Sequence, residues 1–259
     1  MHILITNDDG IKAKGLRTLA DQCRKAGFDI TIVAPAQEKS ACSHSLTLRN
    51  SIRVNRLAEN EYSVEGTPVD CMVIAVQKLL KKPVDIVLSG INAGQNMGED
   101  IHYSGTVGAA KEAGFFGYKS IAISINSYRD QLYETAALWM VKMLKAGIAD
   151  MIQPNEIFNI NIPNVPIEQI KGIRLTRTGH RKYYNFIKMV DEDDNGFSYV
   201  IGGDLPVWER EIGSDADAIA ENYVSLTPIG FEMTNGASFP VLLEWVETNE
   251  LNLLNSKDK

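Results

Sequence analysis

His2-Ile3-Leu4-Ile5-Thr6-Asn7-Asp8-Asp9-Gly10 is the stretch on which the reading of this chain turns. The apolar run is too short for a helix and reads as a buried strand. It stops at two adjacent carboxylates, followed by a glycine that lets the chain turn without steric penalty. In open α/β sheets ligands bind beyond the carboxyl ends of the strands, so chemistry is expected at this strand end. Neighbouring carboxylates repel each other and need water, hydrogen-bond donors or a cation to neutralise them, and a hard divalent cation is the natural candidate. The same residues also suit a simple Asn/Asp/Gly turn that bonds its own backbone.

Outward from this strand, Leu16, Leu19, Ala20, Cys23 and Ala26 recur at helical spacing, and Phe28 to Val33 reads as a second strand ending at Ala34-Pro35. Residues 36 to 66 are rich in turns, with alternating segments at Ser45–Arg49, Ile52–Arg56 and Tyr62–Val64 that suggest a small β excursion. Pro68 opens a helix through Val69, Met72, Val73, Val76 and Leu79, with Lys81-Lys82 at its end. Val84–Leu88 is a buried parallel strand and Ser89–Tyr103 a glycine-punctuated loop. A helix over Gly105–Ala113, a strand over Ser120–Ile125, a helix over Leu132–Leu144 and a strand over Ile157–Ile162 complete the alternation.

Alternating strands and helices predict an α/β fold with a doubly wound, mostly parallel, Rossmann-like sheet. The whole of residues 1–259 is expected to form one domain, with a core over about 1–180 and a C-terminal extension over about 181–259. Within the extension, residues 181 to 212 contain Tyr183-Tyr184 and the acidic turn Asp191-Glu192-Asp193-Asp194-Asn195-Gly196, which read as a β-hairpin. That hairpin has too little apolar content to stand alone and is expected to lie against a partner subunit.

A net charge of −7 argues against a binder of nucleic-acid duplexes, which relies on clustered Lys and Arg. It leaves room for a mononucleotide, which needs only a local electropositive site. No apolar stretch approaches a membrane span and the N-terminus carries no signal-peptide pattern, so a cytoplasmic protein away from membranes is expected. Cys23, Cys42 and Cys71 show no zinc-type spacing and read as free thiols in a reducing compartment.

With the first, second and third strands side by side and parallel, the loops after them face one crevice and carry Asp8 and Asp9, then Ser40, then Asn92. All are oxygen donors, as Mg²⁺ and Mn²⁺ prefer, and no His or Cys cluster points to zinc. Ser40 also suits a local backbone bond, and the glycines around Asn92 also suit plain turns. Tyr103-Ser104-Gly105-Thr106-Val107-Gly108-Ala109-Ala110 runs into a helix whose exposed N–H groups and hydroxyls at Ser104 and Thr106 suit a phosphate, or equally an ordinary N-cap.

Asn7-Asp8-Asp9-Gly10, Pro35 through Ser40 to Thr47, Gly66-Thr67-Pro68-Asp70, Ser89-Gly90-Ile91-Asn92-Ala93-Gly94 and Tyr103 to Ala110 together resemble the SurE family, the stationary-phase survival proteins. Ser214-Asp215 to Tyr223-Val224-Ser225-Leu226-Thr227-Pro228 resembles that family's closing motif. The resemblance implies a divalent-metal-dependent phosphatase acting on nucleoside 5′- and 3′-monophosphates, some members also trimming polyphosphate. It implies one Mg²⁺ or Mn²⁺ per subunit on Asp8, Asp9, Ser40 and Asn92, and phosphate contacts from Asn96, Ser104, Gly105 and Thr106. It further implies a homodimer or homotetramer with exchanged C-terminal segments. Ser43, His102 and Ser214 depart from residues common in the family at those positions.

Direct attack by water, with Asp8 or Asp9 orienting it, is the expected mechanism. A covalent aspartyl-phosphate route needs Asp where Asn7 stands. A receiver-type signalling domain needs an Asp at the end of the third strand, where the chain has Ser89. A nucleotide-binding regulator without catalysis is the remaining alternative. His44 and His102 are candidate acids for the leaving group, each equally suited to a structural role.

Overall fold

The computed structural model describes residues 1–182, 187–193, 195–202, 207–209, 211–249 and 251. The first strand, β1 (His2–Thr6), is buried along its whole length. Its side chains alternate between two cores, as a strand covered on both faces requires. Ile3 and Ile5 pack with Leu16, Leu19 and Cys23 of helix α1 (Lys14–Lys25), while Leu4 packs on the opposite face. Each such fully buried Ile or Leu contributes about 1.5–3 kcal/mol. α1 ends with Arg24 and Lys25 at the negative end of its dipole, and Gly27 at φ +88° then turns the chain.

Strand β2 (Asp29–Pro35) lies parallel to β1, and the chain then makes its excursion through β3 (Val54–Ala58) and β4 (Glu61–Val64), which pair antiparallel with each other. The alternating stretch at Ser45–Arg49 is not a strand. Side chains fasten it instead: Asp70 accepts from the Thr47 N–H at 2.8 Å and its hydroxyl at 2.7 Å, and the Ser45 carbonyl accepts from the Thr67 hydroxyl at 2.7 Å. Asp70 also closes the capping box of helix α2 (Pro68–Ile74), with Thr67 as N-cap, so one buried carboxylate serves both loop and helix. The helical run predicted through Leu79 widens into a π-type turn over Ala75–Leu79.

Strand β5 (Ile86–Ala93) extends further than predicted, taking in residues read as loop. A bulge between Ser89 and Asn92 lets it continue, and Gly90 at φ +138° makes the bulge possible. Helix α3 (Gly105–Phe115), strand β6 (Ser120–Ile125), helix α4 (Tyr133–Lys145) and strand β7 (Glu156–Ile162) follow within a few residues of the predicted positions. α1 and α4 cover one face of the sheet, and α2 and α3 the other. The small residues Ala109, Ala110 and Ala113 let α3 lie close on the strands.

After β8 (Ile173–Leu175) come the short strand β9 (Arg181–Lys182), the antiparallel pair β10 (Ile187–Asp193) and β11 (Gly196–Ile201), and β12 (Val207–Trp208), which pairs with β9. Tyr183-Tyr184 and Asp194 of the predicted hairpin lie outside the described residues. Helix α5 (Asp215–Ala220), strand β13 (Val224–Gly230) and helix α6 (Phe239–Thr248) end the described chain. β13 returns to the main sheet between β7 and β8, giving the nine-strand order β3-β4-β2-β1-β5-β6-β7-β13-β8. The core sheet therefore draws on residues on both sides of the 181–212 excursion.

The strand order sets the site. From β1 the chain winds first toward β2 and β4, then back across β1 to β5, β6 and β7. The direction reverses beside β1, and such a switch point opens a crevice at the carboxyl ends of the strands. Among the described residues no helix is long and apolar enough to cross a membrane.

Candidate functional site

The crevice at the end of β1 holds a cavity of about 660 Å³ whose wall includes Asp8, Ser40, Asn92, Asn96 and Ser104. Five of the eight predicted site residues thus share one lining. The remaining three pack directly against it. Asp9 accepts the N–H of Ala93, itself part of the wall, at 3.1 Å. Gly105 and Thr106 back onto Asp8, and a Cβ at Gly105 would lie 2.9 Å from the Asp8 Cβ, which is why the close approach requires glycine.

Asn7 organises the turn rather than the chemistry. Fully buried, it donates from Nδ2 to the Gly10 carbonyl at 3.0 Å and accepts the Gly10 N–H on Oδ1 at 3.2 Å. The next residue, Asp8, is buried, only 4 % exposed, and its carbonyl is held by the Lys39 N–H at 2.7 Å. That last bond brings the loop bearing Ser40 to the end of β1. Ser40 donates its hydroxyl to Glu38 at 2.7 Å, and the Asn92 amide donates to the Gly94 carbonyl at 2.8 Å.

Thr106, expected as a phosphate contact, directs both donors at Asp8: its hydroxyl bonds Oδ1, and its N–H bonds Oδ2 at 3.1 Å. The cause is position, since the first turn of α3 ends against the carboxylate and its unpaired N–H groups seek an acceptor there. Ser104 is the N-cap of that helix and accepts the Val107 N–H at 3.1 Å while facing the cavity. Asn96 is fixed by a buried amide network, donating from Nδ2 to Ser124 at 2.8 Å and from its N–H to Asn161 at 2.9 Å, with Asn159 and Asn161 donating to its carbonyl.

The electrostatics are those of an uncompensated anion pair. Burial pushes the Asp8 carboxyl above its ordinary range, opposed by the Thr106 bonds. Burial, then the charge of Asp8, pushes Asp9 up to about 6. Among the described residues neither carboxylate forms an ion pair with Lys, Arg or His, and no three His, Cys, Asp or Glu side chains converge. Two carboxylates with Asn and Ser oxygens around them are an oxygen-only donor set that lacks positive charge. A hard divalent cation fits both features.

Of the two candidate histidines, His44 has a side-chain partner. His44 meets Glu112 at 2.7 Å and stacks on Phe115 with ring centroids 5.5 Å apart, tying its loop to α3. Ser43 donates to the His102 carbonyl at 2.6 Å, a backbone contact. Sequence reasoning missed Asp100, Tyr128, Arg181 and Ile201, which also line the cavity. Arg181 forms an ion pair with Asp100, and its guanidinium lies 5.0 Å from the Trp208 ring centre. Their sequence neighbourhoods carry no motif, because tertiary folding alone brings them to the wall.

The sequence profile of the family described as survival protein SurE matches residues 3–185. Over 249 residues the chain is 42 % identical to the 5′-nucleotidase SurE of Mannheimia succiniciproducens, covering 96 % of this chain and all of that protein. It is 42 % identical to the protein of the same name from Carboxydothermus hydrogenoformans, covering 96 % and 98 %. The 5′/3′-nucleotidase SurE of Salmonella paratyphi A is 38 % identical, covering 96 % and 97 %. The crystal structure of the SurE protein from Aquifex aeolicus superposes with a TM-score of 0.84 at 33 % identity, covering 95 % of this chain and 100 % of that one.

Proposed function

Because the chain belongs to the SurE survival-protein family, we propose that it is a phosphoric monoester hydrolase that converts nucleoside 5′- and 3′-monophosphates to nucleoside and phosphate. One observation carries the reading to this chain: a buried carboxylate, Asp8, lies in the wall of a nucleotide-sized cavity beside a second carboxylate and helix-terminal donors. Short polyphosphate chains, which present the same terminal phosphoryl group, are a further proposed substrate.

Asp8, Asp9, Ser40 and Asn92 would hold one divalent cation, Mg²⁺ or Mn²⁺, in each subunit. When bound, that ion supplies Lewis-acid charge to the phosphoryl oxygens and lowers the pKa of water. The chain's own groups do the rest. Thr106 holds the Asp8 carboxylate in one orientation through both of its oxygens. The Ser104 hydroxyl, the Gly105 N–H and Asn96 stabilise the equatorial phosphoryl oxygens. One carboxylate of the Asp8/Asp9 pair takes a proton from the attacking water; the P–O bond to the nucleoside breaks and the departing oxygen takes up a proton. Asn7, locked in its turn, plays no part in the transfer.

The proposed assembly is a homodimer or homotetramer formed through the C-terminal extension. Support comes from the apolar side chains that β11 and α6 present to solvent, among them Phe197, Tyr199, Leu243 and Trp245.

Release of inorganic phosphate from AMP tests the catalytic reading. Turnover with Mn²⁺ should disappear with EDTA and return with added metal, and Asp8→Asn should remove most of it while the circular dichroism spectrum stays the same. Wild-type turnover in Asp8→Asn would reject the site.

A further inference from the structure

Asp215 is a fully buried carboxylate to which the hydrolysis gives no task. It sits at the start of α5, where Oδ1 accepts the N–H groups of Gly179 at 2.9 Å and Ala216 at 2.8 Å, and Oδ2 accepts that of Gly98 at 2.9 Å. Residues 98 and 215 are 117 positions apart in sequence. Burial raises the Asp215 carboxyl while these three N–H groups hold it down. A buried acid that serves three backbone donors from separated segments is a fastening point.

The two glycines cross almost in contact. A Cβ on Gly98, which adopts φ +53°, would lie 2.7 Å from the Gly179 carbonyl oxygen, and one on Gly179 would lie 3.0 Å from the Asp215 carboxylate. Further bonds lace the crossing: Asp100 pairs with Arg181, and Glu99 accepts the Arg181 N–H at 3.0 Å and meets His180 at 2.8 Å. Each crossing segment carries part of the cavity wall, Asn96 and Asp100 on one and Arg181 on the other. The metal-side carboxylates are anchored independently, by Thr106 and Ala93. In the sheet, β8, which leads to residue 179, lies on the far side of β6, β7 and β13 from β5. The crossing therefore builds a stretch of cavity wall, Asp100 and Arg181, that supplies none of the proposed metal ligands.

We infer that Asp215 is a positioning residue for substrate binding, clamping Gly98 to Gly179 so that Asp100 and Arg181 keep one spatial relation around the nucleoside part of the substrate, while Asn96 is held separately by its own amide network. This rests on the nucleotidase reading above. The test is Asp215→Asn, which keeps the shape of the side chain but replaces one acceptor oxygen with a donor facing N–H groups. AMP hydrolysis should show KM raised about tenfold and kcat within about threefold of wild type, with the half-saturating Mn²⁺ concentration unchanged. Gly98→Ala, which pries the segments apart and leaves the carboxylate in place, should give the same split and decides the matter alone if Asp215→Asn does not fold. An unchanged KM, or a loss of kcat accompanied by a raised half-saturating Mn²⁺ concentration, would overturn the inference while leaving the nucleotidase reading intact. A wild-type protein inactive on AMP would instead remove the nucleotidase reading, and this inference with it.

Discussion

Thr106 places its hydroxyl on Oδ1 and its backbone N–H on Oδ2 of Asp8, so one residue at the start of α3 fixes both oxygens of the carboxylate at the end of β1. A carboxylate so held is fixed in one orientation, and its remaining lone pairs are those available to the proposed cation. Thr106→Val removes the hydroxyl bond and keeps the shape. A hydrogen bond to a charged group is worth about 1.5–3 kcal/mol, so kcat/KM for AMP should fall roughly 10- to 100-fold and the half-saturating Mn²⁺ concentration should rise. Thr106→Ser should recover most of both. Steady-state kinetics across a metal titration would check this, and equal activity in the Val and Ser variants would refute it.

In the proposed cation site, Asp9 would set the pH dependence of occupancy. Its carboxyl is raised from an ordinary value of 3.8 to about 6, by burial first and the Asp8 charge second. A raised pKa means the folded chain holds that proton more tightly than the unfolded chain. The stability it contributes to the metal-free protein is therefore fully present below about 3.8 and is lost as pH rises through about 6. Above that pH Asp9 is charged, and a cation held beside it would offset the cost of that buried charge; below it, the proton competes with the cation. Saturating Mn²⁺ should thus raise Tm by several degrees at pH 7.5 and by little at pH 5. Thermal unfolding with and without Mn²⁺ at both pH values gives the comparison, and equal shifts would exclude Asp9 as a ligand.

How far the sequence could be read depended on where each residue's constraint originates. β1 and Asp8 were legible because an apolar run ending in carboxylates carries its own periodicity and its own anomaly. α3 was legible from small residues behind a capping serine. Ser45–Arg49 misled because alternation alone resembles a strand, whereas its backbone partners are the side chains of Asp70 and Thr67 some twenty positions away. The end of β5 was hidden because glycines read as loop, although Gly90 is what keeps the strand in the sheet. Asp215 and Arg181 lay beyond reach, since their roles arise only where two distant segments cross.

Gly90 is the position least tolerant of a side chain in the site's scaffold. Its φ of +138° is closed to residues with a Cβ, and such an atom would lie 2.2 Å from the carbonyl oxygen of Ile123 on β6. Backbone, not a flexible side chain, is in the way, so β5 and β6 would have to separate. Gly90→Ala should cost at least about 3 kcal/mol, lowering Tm by roughly 6–12 °C. Calorimetry would measure it, and a wild-type Tm would contradict the geometry.

The apolar surface of α6 gives the last prediction. Phe239, Val241, Leu242, Leu243 and Trp245 are each more than half exposed, and none of the helix's described residues is buried. Apolar side chains so concentrated on one ten-residue helix are the kind of surface a partner copy would cover in the proposed assembly. Replacing Leu243 and Trp245 together by Glu leaves helix propensity nearly unchanged but places charges in any such contact, at a cost of several kcal/mol. Multi-angle light scattering should therefore find wild type as a dimer or tetramer and the double variant shifted toward monomer, with Asp8, Asn92 and Ser104 untouched. A wild-type protein that runs as a monomer at micromolar concentration would remove the extension from any role in assembly.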